Sequence, residues 1–252
     1  MSEERKRVMI WGGSRGLGKR LAMESVRRGH LTWITGRNPE MAMRDSDLAG
    51  VAKCDRADFA AVPSGSVDRG FFGRDFHAHS LNADILFWVA GHWLRKPFWE
   101  CTPEEIQRLM SVHLLVPMLR LRETIARRND DGFPPHLVVI SSSSAWKGRD
   151  DGQAAYGAVQ AAKVQFARNL HAELGRRFTE VRTTIVRPGG MKTEFFDGSG
   201  IDTAPFADPA DVAAAIWSRV DLAERPPLLE MDIAQKDGRL VVDCTPHDPL
   251  CP

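Results

Sequence analysis

The chain has 252 residues, with 34 Lys and Arg against 33 Asp and Glu, so its formal net charge is +1. This balance provides no basic surface for nucleic acid or an anionic membrane, and a small-molecule partner is expected. The first residues lack a signal-peptide pattern and no apolar run is long enough to span a bilayer, which predicts a cytoplasmic protein. The histidines and four cysteines show no metal-ligand spacing, and no metal is expected.

Apolar runs alternate with helical patterns along the chain, which is typical of βαβ units around a parallel sheet. The predicted strands cover residues 8–11, 31–35, 85–90, 137–141, 181–187 and 228–233. The predicted helices cover residues 16–29, 102 to about 128, and 153 to about 177, and a shorter one opens at 208. We expect a single-domain α/β Rossmann fold over residues 1–242, a doubly wound parallel sheet flanked by helices. Residues 243–252 are predicted to be an irregular C-terminal tail.

A glycine-rich turn joins the first predicted strand to the first helix. Its residues are Gly12, Gly13, Ser14, Arg15, Gly16, Leu17 and Gly18. Glycines permit a tight turn and close backbone approach to a pyrophosphate, and the helix N-terminus adds free N–H groups. The position between strand and helix therefore predicts a dinucleotide site, with a purely structural turn as the alternative.

The end of the second strand indicates which dinucleotide is preferred. NAD sites usually carry an acidic residue here for the ribose hydroxyls, but this chain has Gly36 followed by Arg37. Arg37 can pair with a 2′-phosphate, and Arg15 can reach the same group. Unless both arginines are merely solvated surface charges, the sequence predicts NADP(H) as the cofactor.

Further motifs resemble those of the short-chain dehydrogenase/reductase family, in the family's order and over nearly the whole chain. The glycine turn is similar to TGxxxGxG, with Trp11 in the threonine place, and residues 88–91 stand where the family has NNAG. Residues 140–144 resemble the strand end that carries the catalytic serine, Tyr156 resembles the catalytic tyrosine, and residues 188–193 resemble PGxxxT. The resemblance implies further cofactor-binding residues: Asp55 and Arg56 at the adenine, Ala90 and Gly91, and Pro188, Gly189, Met191 and Thr193 at the nicotinamide amide.

The resemblance also implies how the reaction runs. Tyr156 would be the general acid or base on the substrate oxygen, and a serine would donate a hydrogen bond where negative charge develops. The usual spacing to the tyrosine favours Ser143 as that serine, whereas the place at the strand end points to Ser142, so both stay open. Tyr156 would also contact the cofactor.

Two positions depart from the family pattern. The lysine four residues after the tyrosine is replaced by Gln160, which can still hydrogen-bond the nicotinamide ribose but carries no charge. Losing a cation ~5 Å from Tyr156 removes roughly 3 kcal/mol, or about two pKa units, which favours carbonyl reduction over alcohol oxidation. Lys163 lies too far along the helix to substitute well. The family's asparagine is replaced by His113, which is either a proton relay or a space-filling residue.

These observations together predict an NADPH-dependent oxidoreductase of the carbonyl reductase type. Aromatic residues favour a small hydrophobic or aromatic substrate, unless they pack the core or an interface: Trp93, Phe98, Trp99, Phe195, Phe196 and Phe206. The alternatives are a non-redox enzyme on the same scaffold (isomerase, dehydratase or cyclase) and a non-catalytic NADP(H)-binding protein. By analogy with the family, a homodimer or homotetramer is expected.

Overall fold

The structure, a computed structural model, describes residues 5–60, 72–73, 75–127, 134–222 and 226–247. The strands of this part are β1 (Arg7–Trp11), β2 (Leu31–Gly36), β3 (Lys53–Arg56), β4 (Ile85–Trp88), β5 (His136–Ile140), β6 (Thr183–Pro188), β7 (Leu228–Lys236) and β8 (Arg239–His247). The helices are α1 (Gly16–Arg27), α2 (Pro39–Met43), α3 (Phe76–Asn82), α4 (Pro103–Met110), α5 (Val116–Arg127), α6 (Ala154–Gly175) and α7 (Pro209–Val220).

The strands form one sheet in the order β3-β2-β1-β4-β5-β6-β7-β8. All neighbours from β3 to β7 pair in parallel, and β8 is antiparallel to β7. Every residue of β4 and β5 is buried, as expected for parallel strands that helices cover on both faces. The order reverses between β1 and β4, so the carboxyl ends of these strands border a crevice suited to a ligand.

Two apolar layers enclose the sheet. On one face, Leu21 of α1 and Trp217 of α7 pack over the central strands. On the other face, Phe76 of α3, Leu121 of α5 and Val164 of α6 form the second layer. These layers confirm the predicted single-domain, doubly wound α/β fold. In the part of the chain that is described, no helix has both the length and the apolar character needed to cross a bilayer.

The helix predicted from residue 102 to about 128 contains a π-helical turn, Ser111–Leu115, between α4 and α5. Its start is a capping box between Thr102 and Glu105. The interruption has a local cause, because Pro117 has no N–H for the carbonyl of His113 and its ring crowds that carbonyl. Sequence reasoning did not anticipate the π turn, and residue 128 lies outside the described residues.

The C-terminal segment differs from the prediction. Residues 243–247, expected to be irregular, belong to β8, and Met231 of β7 lies opposite Cys244. Asp237 and Gly238 form the two-residue loop of this hairpin, with φ angles of 48° and 73°. Positive φ at both positions is typical of a type I′ turn, for which Asp-Gly is a favoured sequence. The Asp-Gly pair was the signal for the hairpin, and residues 248–252 lie outside the described residues.

Candidate active site

The glycine-rich turn leaves β1 in a conformation that requires glycine. Gly12 has a φ of 90°, and its N–H donates to Oγ1 of Thr35 over 2.8 Å. A Cβ on Gly18 would lie 2.0 Å from the carbonyl oxygen of Gly12, so α1 approaches the turn more closely than any side chain would allow. Among the described residues no side chain caps the N-terminus of α1, whose first N–H groups are left for a ligand.

A cavity of about 440 Å³ extends from this turn along the carboxyl ends of the parallel strands. That volume is within the usual range for small-molecule sites. Most of the residues predicted from the sequence line it: Gly12, Ser14, Arg15, Gly16, Leu17, Gly18, Arg37, Ala90, Gly91, His113, Ser142, Ser143, Tyr156, Gln160, Pro188, Gly189, Met191 and Thr193. The topology therefore gathers distant segments of the chain around one space.

Asp55 and Arg56 are not among the described residues that line this cavity, contrary to the prediction. Asp55 is 3% exposed, and its carboxylate lies 2.6 Å from Nδ1 of His79. The His79 ring in turn stacks on Trp33, with centroids 4.5 Å apart. The carboxylate is thus held by His79 of α3, and the wall of the cavity at this point is formed by residues 57–60.

Tyr156 lies in the first turn of α6 and is 5% exposed. Burial raises the pKa of its hydroxyl above the ordinary value, because the phenolate would lose its hydration. Hydrogen bonds from the side chains of Ser142 and Gln160 oppose this shift without cancelling it. The phenol is therefore protonated at neutral pH and can give up a proton only to a strongly basic oxygen.

The structure distinguishes between the two candidate serines. The side chain of Ser142 lies close enough to the Tyr156 hydroxyl to lower its pKa, whereas Oγ of Ser143 accepts from Nη2 of Arg149 at 3.4 Å. Gly157 allows the start of α6 to pack closely on the serine segment, since a Cβ at this position would lie 2.9 Å from the carbonyl oxygen of Ser144. Ser142 is thus the serine beside the tyrosine hydroxyl, while Ser143 is bonded to Arg149, and the choice of hydrogen-bond donor between them stays a prediction.

Gln160 and His113 form a buried pair beside Tyr156. Nε2 of Gln160 lies 3.0 Å from Nδ1 of His113, and Nε2 of His113 lies 2.7 Å from the carbonyl oxygen of His92. His113 is 2% exposed, and burial together with the nearby Lys163 lowers its pKa to about 3. With so low a pKa, the ring stays neutral through the physiological range.

Lys163 lies outside the set of described residues that border the cavity. It is fully buried, its Nζ donates to the carbonyl oxygen of Ile140 over 2.7 Å, and it lies 4.6 Å from the ring of Trp88. Burial lowers its pKa well below the ordinary value of a lysine. The geometry agrees with the expectation that Lys163 does not replace the family's lysine.

One wall of the cavity beside Tyr156 is aromatic. The ring of Trp93 meets those of Phe195 and Phe196, with centroids 5.9 and 5.1 Å away, and Phe206 adjoins Phe196 at 5.3 Å. Phe98 and Trp99, predicted to belong to the same lining, are exposed and absent from the described wall. Sequence reasoning placed Arg95 and Arg149 in segments expected to recognise the substrate, but it missed two polar lining residues, Asp58 and Arg108.

The residues present fit a nicotinamide dinucleotide. The glycine cradle and the open N-terminus of α1 suit a pyrophosphate, as described above. At the other end of the cavity, Oε1 of Gln160 is buried and has no hydrogen-bond partner among the described residues. A buried acceptor without a partner is costly, and a ribose hydroxyl of the cofactor would satisfy it.

Fold and cavity together define a Rossmann-class protein, with a glycine turn suited to a dinucleotide at one end of the cavity and a buried tyrosine at the other. The model of the short chain dehydrogenase family matches residues 6–202. The chain belongs to the short-chain dehydrogenase family.

Individual relatives are distant. The chain is 26% identical over 241 residues to the hydroxynaphthalene reductase-like protein Arp2 of Metarhizium brunneum (strain ARSEF 3297), covering 94% of this chain and 86% of that protein. It is 29% identical over 186 residues to a 3-oxoacyl-[acyl-carrier-protein] reductase of Rattus norvegicus, covering 73% and 75%. A short-chain dehydrogenase of Burkholderia cenocepacia J2315, solved in complex with NADP, shares the fold with a TM-score of 0.66, at 23% identity and 86% and 90% coverage.

Proposed function

We propose that this protein is an NADPH-dependent carbonyl reductase acting on a small aromatic or fused-ring ketone. The observation that carries the proposal is the position of the Tyr156 hydroxyl, which is bonded by Ser142 and lies in a cavity between the glycine turn and an aromatic wall. The named relatives include a hydroxynaphthalene reductase-like protein and a 3-oxoacyl thioester reductase. The aromatic wall favours the first substrate type, because flat rings pack edge to face against Trp93 and its neighbours.

In this mechanism the chain's own residues bind the carbonyl group and supply its proton. NADPH, held at the glycine turn and by Gln160, would supply the hydride for the carbonyl carbon. Ser142 donates a hydrogen bond to the carbonyl oxygen, where negative charge develops, and Tyr156 transfers its phenolic proton to that oxygen. The raised pKa of Tyr156 suits this direction, since the residue begins each turnover protonated. The ketone becomes an alcohol, and Tyr156 recovers its proton from solvent.

The preference for NADPH is part of the proposal. Arg15 and Arg37 both line the end of the cavity next to the glycine turn, and Gly36, the last residue of β2, offers no carboxylate. Two guanidinium groups are suited to charge-assisted hydrogen bonds with a 2′-phosphate. At the end of β2, where NAD sites usually carry an acidic residue for the ribose hydroxyls, the described chain has Gly36 and Arg37.

The test is NADPH consumption with a panel of carbonyl compounds: fused-ring ketones, monocyclic aryl ketones, acetoacetyl thioesters and small aliphatic ketones. We expect turnover with the ring-containing ketones and its loss in Tyr156→Phe, with NADPH affinity retained in that variant. Tight NADPH binding without consumption of any compound would contradict the reductase and support a non-redox enzyme or a binding protein. Activity that persists in Tyr156→Phe would remove the tyrosine from the mechanism.

A further inference from the structure

His113 and Gln160 are hydrogen-bonded so that the position of the ring proton and the orientation of the amide depend on each other. Nδ1 of His113 faces Nε2 of Gln160 at 3.0 Å, while its other ring nitrogen is 2.7 Å from the His92 carbonyl oxygen. The side chains of both residues are buried. No water is needed to connect them, so the ring tautomer and the orientation of the amide depend on each other.

A neutral imidazole carries one proton, which decides the direction of both contacts. If Nε2 holds the proton, it donates to the His92 carbonyl, and Nδ1 then accepts from the Gln160 amide nitrogen. The backbone N–H of His92, 2.9 Å from the same Nε2, requires the opposite tautomer. In that alternative Nδ1 donates, and the Gln160 amide must turn so that its oxygen faces the ring.

The shorter contact, at 2.7 Å, favours the tautomer protonated on Nε2. It also agrees with the unpartnered Oε1 of Gln160, which is the amide end left over when the nitrogen serves His113. Gln160 lines the cavity, and the end of its amide that does not serve His113 is then an acceptor. The ammonium that the family's lysine would place at this position is a donor only.

We propose that His113 is a positioning residue that fixes the Gln160 amide with its oxygen toward the nicotinamide ribose of the cofactor, which inverts the hydrogen-bond polarity expected of a lysine. This inference rests on the proposed function, because it assumes that NADPH occupies the cavity. A ribose hydroxyl can donate as readily as it accepts, so the sugar can bind in either polarity. His113 also joins the His92 segment to α6, and its ring is edge-on to Tyr156 at 5.6 Å.

The first test uses the wild-type chain without cofactor and therefore does not depend on turnover. Nitrogen NMR of ¹⁵N-histidine-labelled protein at pH 7 reports which ring nitrogen of His113 carries the proton, with His113→Asn used to assign the signal. We expect protonation on Nε2 and a bare Nδ1. A proton on Nδ1 would overturn the proposal, because the amide would then present its nitrogen to the cavity.

The second test is a double-mutant cycle on NADPH affinity, measured by calorimetry. Gln160→Met keeps the side-chain length without hydrogen bonds, and we expect it to raise the Kd about tenfold, the equivalent of one hydrogen bond. His113→Phe should raise the Kd similarly, because it frees the amide, and the double variant should be no weaker than either single variant. Gln165→Met is the matched control on α6, since Gln165 is exposed and bonds to Asn169, and its Kd should be unchanged.

Additive losses of about a hundredfold in the double variant would contradict the proposal, since His113 and Gln160 would then act separately. An unchanged Kd in Gln160→Met would do the same. If wild-type protein binds no NADPH at all, the proposed function fails, while the NMR result still reports on the tautomer.

Discussion

The indole ring of Trp93 meets the phenol ring of Tyr156 edge to face, with centroids 4.8 Å apart. Trp93 follows β4 and Tyr156 belongs to α6, so the sheet topology brings the two rings together from distant parts of the chain. Under the proposed function, a ketone bound at the Tyr156 hydroxyl would have its adjacent atoms next to this indole. The contact therefore connects the position of the proton donor to the shape of the substrate.

Replacing Trp93 should discriminate between substrates. We expect Trp93→Ala to raise the KM for fused-ring ketones at least tenfold, because an aromatic contact contributes about 1 kcal/mol or more beyond its buried area. Small aliphatic ketones should show a much smaller change. Steady-state kinetics on both classes checks this, with Trp99→Ala as the control because Trp99 is 85% exposed. Equal losses for both classes would mean that Trp93 only supports the fold.

Replacing Arg37 should change the cofactor preference. Arg37→Ala removes a charge-assisted contact to the 2′-phosphate, which is worth about 1.5–3 kcal/mol, so the KM for NADPH should rise about 10- to 100-fold. The KM for NADH, which has no such phosphate, should stay the same. Arg44→Ala is the control, since Arg44 is exposed at the end of α2. A parallel loss with both cofactors would place Arg37 outside the phosphate site.

Introducing a cation at position 160 should favour alcohol oxidation. In Gln160→Lys the ammonium would lower the raised pKa of Tyr156 by about two units, as Coulomb's law gives for a charge ~5 Å away at moderate dielectric. We expect the oxidation rate at pH 8 to rise at least tenfold and reduction to change less. Gln160→Met separates the charge from the loss of the amide. An equal increase in both directions would argue against control by the tyrosine pKa.

The buried Lys163 should make stability depend on pH. Burial lowers the pKa of Lys163 in the folded protein, whereas the pKa of a lysine in the unfolded chain is near 10.4. Between these two pKa values the unfolded chain therefore binds one more proton than the folded protein. In this pH range the free energy of unfolding therefore rises with pH by about 1.4 kcal/mol per pH unit on account of Lys163, and it falls as the pH falls. Lys163→Met should be more stable than wild type at pH 7 by about 1 kcal/mol or more.

The advantage of Lys163→Met should shrink as the pH approaches 10, which denaturant unfolding at several pH values would measure. Lys192→Met, at an exposed lysine, should show no such trend. Parallel pH profiles for wild type and Lys163→Met would show that Lys163 stays charged in the folded protein.

Sequence reasoning was most successful where a residue's role is decided locally. The glycine turn could be predicted because Gly12 and Gly18 are required by backbone geometry alone. The position of the Asp55 carboxylate could not be predicted, because Asp55 pairs with His79 and this contact depends on how α3 packs on the sheet. The orientation of His113 likewise follows from a π turn that depends on Pro117, and no periodicity in the sequence shows it.

The sequence left the choice between two serines open for a similar reason. Counting residues back from Tyr156 favours Ser143, but the hydroxyl that meets the tyrosine belongs to the serine that opens the short turn after β5. Spacing along a chain does not fix distance when a turn and a long helix lie between two residues. Residue spacing alone therefore leaves open whether Ser142 or Ser143 lies beside the tyrosine.

The hairpin at Asp237 and Gly238 has a consequence for solubility. β8 satisfies the main-chain groups along the outer side of β7, over nine paired residues. Without β8, the apolar strand β7 would present a long row of open amide and carbonyl groups, the arrangement through which sheets join into aggregates. β8 thus blocks edge-to-edge pairing at β7. Deleting β8 would be expected to cause aggregation before it changed the site around Tyr156.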